Sequence, residues 1–332
     1  SLYGTRGAAR NWEEEYSSYL ESIGLIRGIS TPSVFYHESR EIRVVVHGDD
    51  FTFLGWREQL NWVRAEMMKR YEIKSELMGP AAGGNKSVRI LNRVLQWSES
   101  GLELEADQRR AELIIKYAGL DSKAKPVGSP GEKKPFEDRE ESADLDRDEA
   151  RRYRAIVARA NYLSTERSDI QYSVKELSRY MAAPKVCDWP LAKRLARYLL
   201  GKPRTILQYA YQHPQNCINT WTDTDFAGCR NERKSTSGGL IMHGSHCLKS
   251  WSSTQSVIAG SSGEAEYYGI VKGGSNSLGM RSLMSDLGVT VSIHIKSDAH
   301  AAIGIASRRG LGKIRHLEVS QLWMQQRAAS QE

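Results

Sequence analysis

The chain has 332 residues and a formal net charge of +7, and 40% of its residues are hydrophobic, which allows two domains or more, each with its own core. It has no apolar run long enough to cross a bilayer, no signal peptide and no CxxC pair among its four cysteines. These features argue against a membrane protein, a secreted disulfide framework and a zinc site. We expect an intracellular protein, cytoplasmic or nuclear, with reduced thiols and no membrane partner.

Helices and short strands alternate in the first 120 residues, and structured-looking sequence begins at Ser1, so we expect a segment of a longer protein. Apolar spacing predicts helices over 12–26, 60–71 and 108–118, and strands over 88–95 and 102–104. Residues 41–56 are predicted to form a β-hairpin whose turn carries Asp49 and Asp50. Such a turn would hold two carboxylates rigidly at an exposed tip, although turn chemistry alone also favours aspartate there.

The amino-acid composition changes at residues 121–150, which contain three prolines, two glycines and a dense run of mixed charge. This composition predicts a linker or a flexible loop. Two helical segments, broken around Ser164 and Thr165, are predicted over 152–181, and a third over 189–200, ended by Gly201 and Pro203.

From Ile218 onward the pattern becomes β-rich. We predict a strand that carries Asp223, a hairpin over 239–251 that turns at Gly244 and Ser245, a helix from Ser261 or Ser262, and a strand over 289–296. Strands followed by alternating helix and strand indicate a mixed sheet with helical cover, and the fold class of the whole chain is α/β of the α+β type.

Acidic residues in three of these elements are predicted to converge. They are Asp223 on a strand, Glu264 or Glu266 in the first turns of a helix, and Asp298 at the end of another strand. Carboxylates gathered at one point repel one another, so they persist together when divalent cations neutralise them. Oxygen ligands suit Mg²⁺ or Mn²⁺, and a pair of such ions supports cleavage of a phosphodiester. The alternative is ordinary, unrelated surface acids.

Positive charge is concentrated in two clusters, which favours a polyanionic partner. The members singled out for nucleic-acid binding are Lys193, Arg194 and Arg197 in the first cluster and Arg308, Arg309, Lys313 and Arg315 in the second. A solvated helix face and an exposed loop are the structural alternatives.

Several short motifs, in the same order along nearly the whole chain, resemble the Pol polyproteins of copia-type retrotransposons. The matching segments are residues 1–12 (SLYGTRGAARNW), 47–50 (HGDD), 153–163 (YRAIVARANYL), 169–174 (DIQYSV), 233–238 (RKSTSG), 250–253 (SWSS) and 264–267 (EAEY). The resemblance implies a partial reverse-transcriptase palm over 1–120, the charged linker over 121–150, a helical thumb or connection over 151–205 and a ribonuclease H-like domain over 216–332.

The resemblance also implies roles for the acids. Asp49 and Asp50 would hold metal for nucleotidyl transfer, and Asp223, Glu266 and Asp298 would hold the two Mg²⁺ or Mn²⁺ ions that cut RNA in an RNA–DNA hybrid. We prefer Glu266 to Glu264 because the segment that starts at Ser261 fits a capping box, in which backbone N–H groups would occupy Glu264. Two residues apart on a helix, the glutamates point about 200° apart, so one of them faces the site.

The sequence also departs from the family pattern. Gly7 replaces a glutamine, and His47 and Gly48 replace tyrosine and valine ahead of the aspartate pair. The upstream palm segment with a further aspartate and the downstream segment with a fourth ribonuclease H acid have no match. Glu318 as a substitute, or His316 as a catalyst, is disfavoured against a surface role.

We therefore expect no polymerisation by this chain alone and weak or absent hybrid cleavage. The partners implied are an RNA–DNA hybrid or a primer–template, other parts of the Pol polyprotein, and deoxynucleotides only in a complete polymerase. Two alternatives remain: a non-catalytic nucleic-acid-binding remnant, whose binding would fall steeply with salt, and an unstable relic of a decaying element.

Overall fold

The computed structural model describes residues 7–80, 84–120, 123–132, 139–229, 232–312, 317 and 319–330. The helices are α1 Ala8–Ser22, α2 Arg57–Arg70, α3 Gln108–Tyr117, α4 Arg147–Leu163, α5 Gln171–Ser178, α6 Trp189–Gly201, α7 Ser262–Asp286, α8 His300–Ser307 and α9 Trp323–Ser330. The strands are β1 Ile26–Arg27, β2 Val34–His37, β3 Ile42–His47, β4 Asp50–Leu54, β5 Ser87–Ile90, β6 Arg93–Ser98, β7 Gly101–Glu105, β8 Ile206–Ala210, β9 Cys217–Asp225, β10 Thr236–His243, β11 His246–Thr254 and β12 Ser292–Lys296. Separate sheets and helices of this kind make the chain α+β, as predicted.

The first sheet is antiparallel, in the order β1-β2-β3-β4, and packs on α1 and α2. Alternate residues of β3, including Ile42 and Val44, are buried because they point to the face of the sheet that packs against the two helices. The predicted hairpin is confirmed: β3 and β4 pair with His47 opposite Asp50, and Gly48 takes a positive φ of 65° in the turn.

The second sheet, β5-β6-β7-β8, is also antiparallel, and its last strand lies beyond the helices α3 to α6 in the sequence. The region predicted as strand over 88–95 is a hairpin, with positive φ at Leu91 and Asn92 in its turn. Helix α3 shares one core with α4, α5 and α6, so the sequence boundary at residue 120 does not separate two cores.

The described parts of the predicted linker contact the helices. Arg197 Nε donates a hydrogen bond to the Lys125 carbonyl (2.7 Å), and Arg194 forms an ion pair with Glu132 (2.6 Å). Helix α4 begins at Arg147, earlier than predicted, because the Asp146 side chain accepts a hydrogen bond from the Glu149 N–H and caps it.

The third sheet is mixed, in the order β11-β10-β9-β12, with β12 parallel to β9 and the other pairs antiparallel. Helix α7 crosses one face at close range, because Gly269 and Gly273 lie against Thr224 and Thr222 of β9. Helices α8 and α9 pack against α7. Within the described parts of the chain, no helix combines the length and the apolar character needed to span a membrane.

Candidate functional site

Three carboxylates meet where β9, β12 and α7 come together. Asp223 lies on β9, Asp298 follows the end of β12, and Glu266 lies near the start of α7. Because β9 and β12 are parallel neighbours, residues near their carboxyl ends reach the same region of the sheet. One carboxylate oxygen from each residue lies within 4.8 Å of the other two. The predicted convergence of the three acids is thus present in the structure.

The environment of this cluster raises the pKa of the Glu266 carboxyl. Burial raises the pKa of its carboxyl; a hydrogen bond from the Thr224 N–H lowers it, and the neighbouring charges of Asp223 and Asp298 raise it further, to about 6. The Thr224 N–H is directed at Glu266 Oε1 (3.2 Å) and at Asp223 Oδ1 (2.9 Å). One backbone donor therefore fixes the positions of the two carboxylates relative to each other.

Glu266 Oε2 shows that the cluster suits a cation. This oxygen is buried and has no hydrogen-bond partner among the described residues. A buried carboxylate oxygen without a donor, on a residue whose carboxylate lies close to two others, matches the donor set of a hard divalent ion such as Mg²⁺ or Mn²⁺. Asp223, Glu266 and Asp298 are the residues that would hold it.

Glu264 has a different environment, although it lies two residues from Glu266. Its side chain is 1% exposed and accepts hydrogen bonds from the Gly260 N–H (2.9 Å) and the Tyr268 hydroxyl (2.9 Å). Its N–H donates to Ser261 Oγ (3.2 Å), so Ser261 caps α7. The prediction that backbone N–H groups occupy Glu264 is confirmed in part, since one such group among the described residues contacts it, that of Gly260 rather than of the capping residue Ser261, and the second donor is the Tyr268 hydroxyl. The carboxylate that joins Asp223 and Asp298 is that of Glu266.

A cavity of about 640 Å³ extends from the carboxylates along the sheet face opposite α7. Its lining residues are Trp221, Thr222, Asp223, Gly238, Gly239, Leu240, Lys296, Ser297 and Asp298. Sequence reasoning did not single out Trp221 or Lys296. The signal that finds them is their spacing, because each lies two residues before one of the acids in the sequence, Trp221 before Asp223 on β9 and Lys296, at the end of β12, before Asp298.

No protein-family model matches the chain. Over 295 residues, or 88% of its length, it is 28% identical to the retrovirus-related Pol polyprotein from transposon RE2 of Arabidopsis thaliana. Over 98% of its length it is 24% identical to the corresponding protein from transposon TNT 1-94 of Nicotiana tabacum. The chain belongs to the retrovirus-related Pol polyproteins of copia-type transposons. The resemblance stated from the motifs is thereby confirmed.

The chain spans 19% of the RE2 polyprotein and 25% of the TNT 1-94 polyprotein. A shorter relative, an uncharacterized mitochondrial protein of Arabidopsis thaliana, is 33% identical over 170 residues, which are 51% of this chain and 68% of that protein.

The other predicted acids, Asp49 and Asp50, lie at the exposed tip of the β3–β4 hairpin. The Trp12 indole N–H donates to the Gly48 carbonyl (2.9 Å) and ties the turn to α1. Among the described residues, no further acid, histidine or cysteine joins Asp49 and Asp50 in a group of three that could hold a metal. Their role as metal ligands stays a prediction.

The predicted basic clusters are partly engaged within the chain. Arg194 and Arg197 contact the segment 123–132, whereas Lys193 is exposed. Arg308 donates to the Leu311 carbonyl (2.7 Å), and Arg309 is exposed. Lys313, Arg315, His316 and Glu318 lie outside the described residues. Lys193 and Arg309 are therefore the described members best placed to meet a polyanion.

Proposed function

We propose that this chain carries a site for divalent-cation-dependent phosphodiester hydrolysis, directed at the RNA strand of an RNA–DNA hybrid. The observation that carries this proposal is the gathering of Asp223, Glu266 and Asp298 oxygens within 4.8 Å of one another. The mixed sheet with α7 across one face agrees with a ribonuclease H-like arrangement, the domain that the family resemblance implies over 216–332. Its setting would be intracellular, as expected from the sequence.

Bound divalent ions would supply charge neutralisation and Lewis acidity for the attack of water on the phosphodiester. The chain's own residues contribute position and charge. Asp223 on β9 and Asp298 just beyond the end of the neighbouring β12 fix two of the ligands, and Glu266 brings the third from α7. The Thr224 N–H orients the Asp223 and Glu266 carboxylates toward each other. Because the pKa of Glu266 is about 6, its proton must leave before the full ligand set is available, so activity should rise with pH through 6.

Polymerisation is not expected from this chain alone. The hairpin tip carries Asp49 and Asp50, which the resemblance assigns to the metal site of a palm, but no third ligand gathers with them among the described residues. A two-carboxylate tip does not complete a site for nucleotidyl transfer. We propose that Asp49 and Asp50 belong to the polymerase lineage of the chain and act only within a larger Pol assembly that supplies deoxynucleotide binding and the missing ligand.

The alternative function is that of a nucleic-acid-binding remnant without chemistry. The exposed Lys193 and Arg309 support it, because cations that are free to meet phosphates bind nucleic acid whether or not cleavage follows. Such a remnant would bind a hybrid in a salt-dependent way and release no product.

Cleavage of an end-labelled RNA–DNA hybrid in Mg²⁺ tests the proposal. We expect slow, Mg²⁺-dependent cutting, weak because three acids rather than four gather in the described part of the chain. Glu266→Gln should lower the rate by about 100-fold or more, the loss usual for a group that stabilises charge in the transition state. Glu264→Gln serves as the matched control and should retain cleavage at temperatures where it is folded. Binding without any product would favour the remnant, and loss in Glu264→Gln alone would reverse the assignment.

A further inference from the structure

Trp221 and Lys296 form a pair beside the carboxylates. They lie directly opposite each other on the parallel strands β9 and β12. The Lys296 ammonium lies 4.7 Å from the centroid of the Trp221 ring, within the range of a cation–π contact, and the indole is 39% exposed. A large aromatic ring and a cation are thus presented together at the surface of the third sheet.

This pair faces the same cavity as the acids. Side chains two residues apart on a strand point to the same face, so Trp221 lies on the face of β9 that carries Asp223, and Lys296, the last residue of β12, lines the same cavity as Asp298. Two residues of strand span about 7 Å, a distance comparable with one nucleotide of an extended strand. Gly238, opposite Asp223 on β10, also lines the cavity and places no side chain in it.

Lys296 has its charge available for a ligand. Among the described residues no carboxylate forms an ion pair with it, and its ammonium contacts the indole ring of Trp221. An ammonium without an anionic partner, at the rim of a groove, is a suitable contact for a backbone phosphate. The exposed part of the indole offers a surface on which a base or sugar packs without sequence preference.

We propose that Trp221 and Lys296 bind the nucleic-acid strand next to the phosphodiester that the carboxylates engage. Lys296 contacts a backbone phosphate about one nucleotide away, and Trp221 packs against the nucleotide attached to it. The pair positions the strand along β9 and β12 so that the neighbouring phosphodiester meets Asp223 and Asp298. This inference rests on the proposed function, since it takes the strand at the carboxylates as its point of reference.

A structural role for Lys296 makes an opposite prediction. If the ammonium only offsets the negative charge of the nearby acids, its removal would tighten divalent-cation binding and leave nucleic-acid affinity unchanged. If it contacts a phosphate, its removal weakens nucleic-acid binding and reduces the dependence of that binding on salt. The two roles are therefore separable without measuring cleavage.

The test is the affinity of the full chain for a fluorescently labelled RNA–DNA hybrid, measured by anisotropy over a series of salt concentrations with Ca²⁺ in place of Mg²⁺. Lys296→Gln should weaken binding and reduce the slope of log K against log salt by about 1, the loss of one phosphate contact. Lys272→Gln removes the same charge from the exposed side of α7 and should leave that slope unchanged.

Trp221 is tested by a pair of substitutions. Trp221→Leu keeps an apolar side chain but no ring and should lose roughly fivefold or more in affinity, whereas Trp221→Phe should retain most of it. Gly238→Val adds bulk to the cavity floor, where a Cβ meets only backbone oxygens at 3.7 and 4.0 Å, so the fold should be kept while binding falls. Melting curves verify that each variant is folded.

The outcomes separate this inference from the proposed function. Wild-type binding and cleavage together with unchanged affinity and slope in Lys296→Gln and Trp221→Leu would overturn the role of the pair alone. Failure of the wild-type chain to bind the hybrid at any salt concentration would overturn both.

Discussion

Glu266 occupies a position that is unfavourable for its charge when no cation is present. Its carboxyl is partly buried, one of its oxygens has no hydrogen-bond donor among the described residues, and two acids lie beside it. Because the folded-state pKa of about 6 exceeds the ordinary value of 4.5, the folded chain holds this proton more tightly than the unfolded chain does. Stability therefore falls as pH rises from 4.5 through 6, and the penalty is constant above that range.

Glu266→Gln should accordingly stabilise the cation-free chain. The expected gain at pH 7.5 is about 1 kcal/mol after allowance for solvent screening, or roughly 2–4 °C in Tm, and it should vanish near pH 4, where the glutamate is protonated in both states. Differential scanning calorimetry in a chelating buffer measures it. Glu264→Gln is the control: it should lower Tm, because the buried carboxylate of Glu264 accepts from Gly260 and Tyr268. A lower Tm for Glu266→Gln at pH 7.5 would contradict this account of the cluster.

At the scale of elements, the site depends on how closely α7 lies on β9. A Cβ added at Gly273 would lie 2.5 Å from the Thr222 methyl and 3.3 Å from that of Thr220, which leaves no room for it. Gly279, farther along the same helix, has nothing within 4 Å of the corresponding point. The two glycines thus differ in packing but share the same helical backbone.

Substitution by alanine should therefore have opposite effects at these positions. Gly273→Ala should destabilise the chain by about 2 kcal/mol through overpacking, whereas Gly279→Ala should stabilise it by about 0.5–1 kcal/mol through the lower entropy of the unfolded chain. Urea denaturation compares the two variants. Equal effects of the same sign would show that α7 does not approach β9 as closely as the structure indicates.

The elements that carry the site were predictable because their local patterns agree with their environment. Burial alternates strictly along the strand of Asp223, and Ser261 marks the start of α7, so Asp223 and Glu266 were placed on the correct kind of element. Asp298 was expected at the end of a strand and lies two residues beyond β12. The strands β1, β2 and β8 were not predicted. Strand β8 is held by its pairing with β7, about a hundred residues earlier in the chain, a contact that no local pattern encodes.

The hydrogen bonding within the cluster could not be predicted from the sequence. That the Thr224 N–H serves both Asp223 and Glu266, and that Glu266 Oε2 is buried without a donor, are consequences of packing between β9 and α7. The hairpin turn at Leu91 and Asn92 escaped recognition because neither residue is the glycine that usually marks positive φ. Tertiary contacts decide all of these features.

At the scale of the whole molecule, one carboxylate joins the first sheet to the third. Asp286, at the end of α7, accepts hydrogen bonds from the N–H groups of Ile29 (3.0 Å), Ser30 (3.0 Å) and Thr31 (2.8 Å) and from the Ser30 hydroxyl. Close by, Arg43 Nε donates to the Leu287 carbonyl (2.8 Å). The helix that carries Glu266 at its start is thus fastened to the β1–β2 loop at its end.

Asp286→Ala should release this loop. Partial burial acts to raise the pKa of Asp286, but the hydrogen bonds from Ser30, Thr31 and Ile29 outweigh it and hold the pKa below its ordinary value. The contact therefore stabilises the chain above about pH 4 and is lost as pH falls through the lowered pKa. Hydrogen exchange at neutral pH should show faster exchange of the three amides in the variant, and Asp286→Asn, which keeps one acceptor oxygen, should be intermediate.

Protonation of Asp286 at acidic pH should remove the same contact in the wild type. The difference in stability between the wild type and Asp286→Ala should shrink as the pH is lowered below 4, since protonation removes the same interaction. Unchanged exchange at Ile29, Ser30 and Thr31 in the variant would show that the two sheets do not meet through Asp286.

The most direct measurement of the central claim is isothermal titration calorimetry of Mn²⁺ or Mg²⁺ into the full chain near pH 7.5. The wild type should bind the ion with an affinity that rises with pH through 6, and Asp298→Asn and Glu266→Gln should each weaken binding by about tenfold or more, since each removes one charged ligand. Glu264→Gln, kept below its melting temperature, should bind as the wild type does. Equal affinity in the wild type, Asp298→Asn and Glu266→Gln would contradict a shared cation site at Asp223, Glu266 and Asp298.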